Sequence, residues 1–398
     1  MSNYTSIRGD IVLPDSIVEN GYVTWLRDEI VSVSARPPVQ GDVIDRTGCL
    51  VAPGFVDIHV HGGAGADYMD GTADDVRTAN RAHAAHGTTS IFPTTTTGSF
   101  ADLEAMVSAC ETVQANWTPA DGARIAGVHL YGPYFAPGKV GCHAPEGRRD
   151  PVRAEYEHFL NRPIIRIATC AAELPGALDF YAFARARNCL VTCGHSNAWW
   201  GELEAAFARG MRHVDHFWSA MSSVSSLRAR FGTPMRAGME QFVLANEEMS
   251  TELIADGEHL SDDLLRFGFE MIGCHRTCLV TDANRALDMP PGRYRFGPKS
   301  DGAWVTSDGR TVRGEDGGLA SSMRGMNEMV KVMARAIVKD RGRDLPRVIR
   351  MASLTPAELT GTDRTLGSLE VGQRADIVVL DGGFAVIDTM ISGAVFRA

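Results

Sequence analysis

The 398-residue sequence has no stretch approaching the roughly 18 apolar residues that a membrane span requires. Its amino terminus, MSNYTSIRGDIVLPDS, lacks the basic segment and apolar core of a secretory leader. No membrane partner and a cytoplasmic location are the resulting expectations. Lysine and arginine nowhere form a run, and the net charge is −10, so the basic stripe that a nucleic acid backbone needs is absent. The eight cysteines, at 49, 110, 142, 170, 189, 193, 274 and 278, include no C-x-x-C pair and are too sparse for a disulfide scaffold. They read as reduced thiols, and burial in strands explains Cys189/Cys193 and Cys274/Cys278 better than structural zinc. No internal repeat or low-complexity segment stands out.

What is present is the composition of a folded protein, with 44% hydrophobic and 22% charged residues. The first fifty residues read as short strands separated by turns at Asn20-Gly21 and near Pro37-Pro38. The last stretch, GSLEVGQRADIVVLDGGFAVIDTMISGAVFRA, has the same texture. Between them, eight apolar runs alternate with helical segments: 54–62, 89–97, 125–135, 164–173, 190–198, 213–221, 251–259 and 277–285. The helical candidates include 73–87, 155–162, 201–210, 261–273 and a final helix over 322–342. This pattern predicts a (β/α)8 TIM-type barrel over residues 53–362, with a small β-sandwich domain assembled from residues 1–52 and 363–398.

Polar residues gather at the carboxyl ends of these runs, where barrel enzymes keep their active sites. Asp57, His59 and His61 lie on the first run, and their i, i+2 spacing sends both histidines to one face, within reach of one ion. The fifth run ends at His195, the sixth at His216 and the eighth at Asp282. Neutral imidazoles and a carboxylate suit zinc and related ions, whereas a lone histidine would more simply be a packing residue.

LVAPGFVDIHVHG, GVHLYGPYFAPGKVGCHAPE, TCGHSNA, VDHFWSAM, LIADGEHL and LVTDAN, in that order, resemble the N-acetylglucosamine-6-phosphate deacetylases of the amidohydrolase superfamily over most of the chain. The resemblance implies hydrolysis of an amide C–N bond, most simply removal of acetyl from an amino sugar. It also implies a divalent metal ion, zinc or alternatively iron, a small-molecule substrate, and a homodimer. It makes His195 and His216 metal ligands, with His59 and His61 at a second or alternative cation position. Asp282 matches the catalytic aspartate that takes a proton from attacking water and hands it to the departing amine. His143 matches a histidine that binds substrate and stabilises the oxyanion, and His259 another that contacts substrate. Ser219 and Ala220, with Arg228 or Arg230, fall where the family receives the sugar phosphate. However, Ser219-Ala220 replaces an Asn-Ala pair, and SSLRARFGTPMRAGMEQ replaces an Arg-Glu-Pro-Gly context.

The larger departure is Tyr131. The family carries a metal-binding glutamate in His-Leu-Glu-Gly-Pro, where this chain reads His129-Leu130-Tyr131-Gly132-Pro133. A phenol with an ordinary pKa near 10 is a poor ligand until a cation ionises it. Three arrangements follow. The ion sits among His59, His61, His195 and Asp282, with His216 as an acid/base or supporting group and Tyr131 donating to substrate; or Tyr131 coordinates as phenolate; or metal and activity are lost. The first, the plan of mononuclear deaminases, is favoured because its four ligands are all present. That plan keeps two other functions open: a deaminase or cyclic-amide hydrolase, and an inactive sugar-phosphate-binding relative.

Overall fold

The computed structural model describes residues 4–397. Eight parallel strand segments follow one another in chain order, separated by helices, as the alternation of runs predicts. Phe55–Val60 pairs with Thr88–Pro93, which pairs with Arg124–Ile125. Arg124–Ile125 and Val128–Leu130 form one interrupted third strand, tied to the second by the Thr94–His129 bridge. Val128–Leu130 then pairs with Ile165–Thr169, followed in order by Leu190–Cys193, His213–Val214, Ser250–Leu253 and Thr277–Leu279. The ring closes through main-chain bonds from Asp282 N to His59 O (2.9 Å) and from His61 N to Ala283 O (2.8 Å).

Alternation along each strand divides the two faces. Val56, Ile58 and Val60 are fully buried in the main apolar core with the surrounding helices, while Asp57, His59 and His61 take the other parity. Each such outward aliphatic side chain contributes about 1.5–3 kcal/mol on burial. The inward parity is unusually polar. His129, Thr169, Thr192, His213, Asp215, Ser250, Glu252 and Thr281 all lie at 3% exposure or less, where barrels ordinarily stack branched aliphatics. Asp57 joins the first and last strands: its Oδ2 accepts from Thr281 Oγ1 at 2.5 Å, and burial pushes its carboxyl up to about 7 against that bond.

Strands from both ends of the chain share a second sheet. By hydrogen bonding it is one continuous seven-stranded sheet, rather than two separate layers. Bulges near Gly9 and Asp10 bend the first strand, Tyr4–Val12. The sheet curls until Ile30, on the edge strand Glu29–Ser34, meets residues 372–373 through Ile30 N to Gln373 O (2.8 Å) and Gly372 N to Ile30 O (2.9 Å). Ile7, Val23, Trp25, Ile30, Ile377 and Met390 thereby share one buried cluster.

Two features differ from the sequence reading. The single helix predicted over 322–342 is Met326–Ile337 followed by a separate Arg341–Ala352. Val338 turns extended and Asp340 caps the new helix by accepting from Arg343 N–H. Between the eighth strand and these helices lies an antiparallel insertion, Gly292–Phe296, Ala303–Ser307 and Val312–Gly314, which delivers Phe296 to the mouth of the ring. Among the described residues, no helix is long and apolar enough to cross a membrane.

Candidate active site

A cavity of about 460 Å³ opens at the carboxyl ends of the strands, lined on its polar side by His61, Tyr131, His143, His195, His216, His259 and Asp282. Several of the residues forming it leave regular strand geometry. His195 (φ 45°), Ala220 (47°), Asp282 (45°) and Ser321 (61°) are all left-handed without being glycine. Such a conformation costs roughly 1–2 kcal/mol per residue and is retained where the surroundings enforce it. Gly194 is required for another reason, because a Cβ there would overlap the Asp215 carboxylate.

His59, His61 and Asp282 form the first cluster, with ligand atoms mutually within 4.8 Å. His61 Nε2 is 3.2 Å and His59 Nε2 3.8 Å from Asp282 Oδ1. His61 Nδ1 is 3.2 Å from Thr94 O, a carbonyl that only accepts, so Nδ1 carries the proton and Nε2 faces inward. His59 Nδ1 donates to Glu252 Oε2 at 2.8 Å, and its Nε2 is fully buried without a hydrogen-bond partner. Burial would lower the His59 pKa, but the Glu252 charge and hydrogen bond push it up to about 9. Burial would raise Asp282, but the His61 hydrogen bond and the charges of His59 and His61 hold it well below the usual carboxylate range. An orphaned imidazole nitrogen beside a second imidazole and an ionised carboxylate is a donor set that fits a divalent cation.

His195 stands outside this cluster. Its ring stacks on Phe135 (centroids 4.1 Å apart) and its Nδ1 donates to Lys139 O at 2.5 Å, which turns Nε2 toward His216 Nε2, 3.3 Å away. The four-residue arrangement of His59, His61, His195 and Asp282 is therefore not assembled as one group. Tyr131 joins the second pair instead, its hydroxyl hydrogen-bonded to His216 Nε2 at 2.5 Å. Burial first, and the charges of Asp215 and Asp282 next, hold that phenol well above its ordinary pKa and therefore protonated.

His143 lies on the loop after the third strand, its ring 5.0 Å from His195 and 4.9 Å from Phe296, centroid to centroid. Burial, then the neighbouring histidines, hold it well below its ordinary pKa, so it is a neutral imidazole. His259 Nδ1 donates to Asp256 Oδ2 at 2.8 Å; burial would lower the His259 pKa, but this bond together with the charges of Asp256 and Asp282 raises it. Phosphate recognition departs from expectation. Arg228 is exposed on the helix Val224–Phe231 and does not line the cavity. Arg230 is held by Glu202 through two contacts of 2.7 Å. Ser219 and Ala220 do line the cavity, but the Ser219 N–H already donates to His216 O at 2.9 Å. The cation at the cavity wall is Lys139, whose ammonium donates to Met221 O at 2.8 Å.

Lys139, Phe296, Asp215 and Glu252 were not among the residues selected from sequence. Glu252 carried a usable signal, a carboxylate in the middle of the apolar strand sequence STELIA.

Residues 50–396 match the amidohydrolase family. The chain is 33% identical to an N-acetylgalactosamine-6-phosphate deacetylase of Escherichia coli O157:H7, over 93% of this chain and 95% of that one. It is 30% identical to an N-acetylglucosamine-6-phosphate deacetylase of Bacillus subtilis (strain 168), over 96% and 94%. A mutant N-acetyl-D-glucosamine-6-phosphate deacetylase of Mycobacterium smegmatis, solved in complex with N-acetyl-D-glucosamine-6-phosphate, superposes with a TM-score of 0.89 at 28% identity, covering 99% of each chain.

Proposed function

The chain belongs to the amidohydrolase family, and from that premise we propose that it removes acetate from an N-acetylated hexosamine 6-phosphate by hydrolysis of the amide C–N bond. The observation that carries this reading is the grouping of His59, His61 and Asp282, the last two lining a cavity that also receives His143, His259 and Lys139. In domain terms, residues 53–362 are the (β/α)8 hydrolase barrel, and residues 1–52 and 363–398 the small β domain. The proposal includes assembly as a homodimer.

His59, His61 and Asp282 would hold the divalent cation, zinc or else iron, with His195 and His216 beside it. Bound there, the ion supplies Lewis acidity toward the amide carbonyl and lowers the pKa of water toward neutrality. Asp282 Oδ1 faces the histidines and Ser321 Oγ (3.1 Å), which leaves Oδ2 to take the proton of the attacking water and return it to the departing amine. His143, neutral and with N–H to donate, stabilises the oxyanion. Tyr131 holds its proton and donates it to His216 or to substrate.

Lys139 and the protonated His259 supply the positive charge for the sugar phosphate, in place of Arg228. Lys139→Met therefore raises KM for the phosphorylated sugar by about tenfold while leaving kcat and the unphosphorylated substrate nearly unchanged, because a lost charge-assisted hydrogen bond is worth about 1.5–3 kcal/mol. The His195 contact survives, since it uses the main-chain carbonyl of residue 139. His259 gives a pH signature. Its pKa is raised, so its charge persists past the ordinary histidine range and is lost as pH climbs through the raised value. KM for the phosphorylated sugar should rise over that window in the parent, and His259→Gln should flatten the rise; equal profiles would remove His259 from anion binding.

The deciding experiment supplies zinc-loaded protein with N-acetylglucosamine-6-phosphate, N-acetylgalactosamine-6-phosphate and unphosphorylated N-acetylglucosamine, assaying acetate and ammonia separately. Acetate from the phosphorylated sugars is expected. Ammonia from an amino-heterocycle panel without acetate from any sugar would instead support the deaminase reading, which Tyr131 favours. Protein purified without chelator should carry about one equivalent of transition metal, and less than about a tenth of an equivalent rejects the cation site.

A further inference from the structure

Glu252 sits in the strand Ser250–Leu253, the seventh of the ring, separated from the first strand by the eighth, and is wholly buried. Its Oε2 accepts from His59 Nδ1 at 2.8 Å and from the backbone N–H of His216 at 3.0 Å. Its Oε1 lies 3.5 Å from His213 Nε2 and has no hydrogen-bond partner. His213 is anchored at its other nitrogen, Nδ1, 2.7 Å from Ser250 Oγ. A carboxylate only accepts, so the proton of the first contact belongs to His59 Nδ1, and the remaining nitrogen, Nε2, is the atom presented to His61 and Asp282. One carboxylate therefore fixes the ring orientation of His59 and the main chain of His216, the two histidines that belong to the two separate clusters of the site. A buried carboxylate on the outer nitrogen of a ligating histidine raises the basicity of the inner one.

Resting on the reading of His59 as a ligand, we propose that Glu252 is a positioning residue of the cation site, holding His59 with Nε2 aimed at the ion. A carboxylate serving only to satisfy buried partners would affect folding and leave cation affinity alone, so affinity separates the two roles. The test titrates zinc into apo-protein against a chromophoric chelator, for the parent, Glu252→Gln, His59→Ala and the double variant, with melting of each measured in chelator.

Glu252→Gln, nearly isosteric, is expected to weaken zinc binding about 10- to 100-fold. In the His59→Ala background the same exchange should change affinity by less than about twofold, because its effect passes through that ring. Should Glu252→Gln fail to fold, Glu252→Asp keeps the charge and withdraws it from Nδ1, and a comparable loss is expected. If His59→Ala loses zinc while the folded Glu252 variant binds it like the parent, the positioning role is overturned and the site stands. If His59→Ala itself binds zinc like the parent, the site reading falls, and the positioning role with it.

Discussion

Asp282→Asn is expected to lower kcat for acetate release by about three orders of magnitude, within the 10²–10⁴ range of general acid–base catalysis, with KM moving by less than about threefold. The substitution retains size and an oxygen at the end of the eighth strand but removes the proton acceptor. It also removes the negative charge that faces His61 at 3.2 Å and His59 at 3.8 Å. Because Asp282 is held ionised below the ordinary range, its stabilising contribution in the metal-free protein is present above the unfolded carboxylate pKa of about 4 and disappears as pH falls through the depressed folded value. The variant should therefore melt a few degrees lower than the parent at neutral pH and converge with it in acid. Metal content measured on the same samples separates loss of the ion from loss of the base. An unchanged kcat with zinc bound would remove Asp282 from the mechanism.

The parts of the site that could be read from sequence are those in which strand period decides the outcome. His59 and His61 had to share a face because side chains alternate, and His195, His216 and Asp282 each end an apolar run, which places them at one rim once the runs close into a ring. Partners across the ring are a different matter. Glu252 meets His59 across 193 positions of chain, and no local period records that approach. His195 stands beside His216 and outside the group of His59, His61 and Asp282 for a similar reason: its direction is set by Phe135 and by the Lys139 carbonyl, both on the loop after strand three. Arg230 is neutralised by Glu202, 28 positions earlier, and Arg228 ends on the exposed side of a short helix; neither fact follows from the loop sequence. The insertion at 292–314 was missed because its strands are only three to five residues long, too short for a period to register.

Tyr131→Glu is expected to raise the transition metal bound per chain from about one equivalent to about two. In the parent, the His195 and His216 Nε2 atoms face each other at 3.3 Å without a third ligand atom grouped with them among the described residues, and the phenol beside them is held protonated by burial and by the charges of Asp215 and Asp282. The Tyr131 hydroxyl lies 2.5 Å from His216 Nε2 and occupies the space that a cation on that nitrogen would need. Glutamate at 131 would remove that hydroxyl, free both nitrogens and add the charge needed to offset desolvation of a second divalent ion. The stretch preceding it would be undisturbed, since Tyr131 N is held by Thr95 Oγ1 at 2.9 Å through the main chain. Tyr131→Phe is the control: it also frees His216 but supplies no charge, so it should stay near one equivalent. Two equivalents in the phenylalanine variant would mean that the hydroxyl alone blocks the second position. One equivalent in the glutamate variant would mean that the pair His195/His216 is committed to another role, such as proton transfer to substrate.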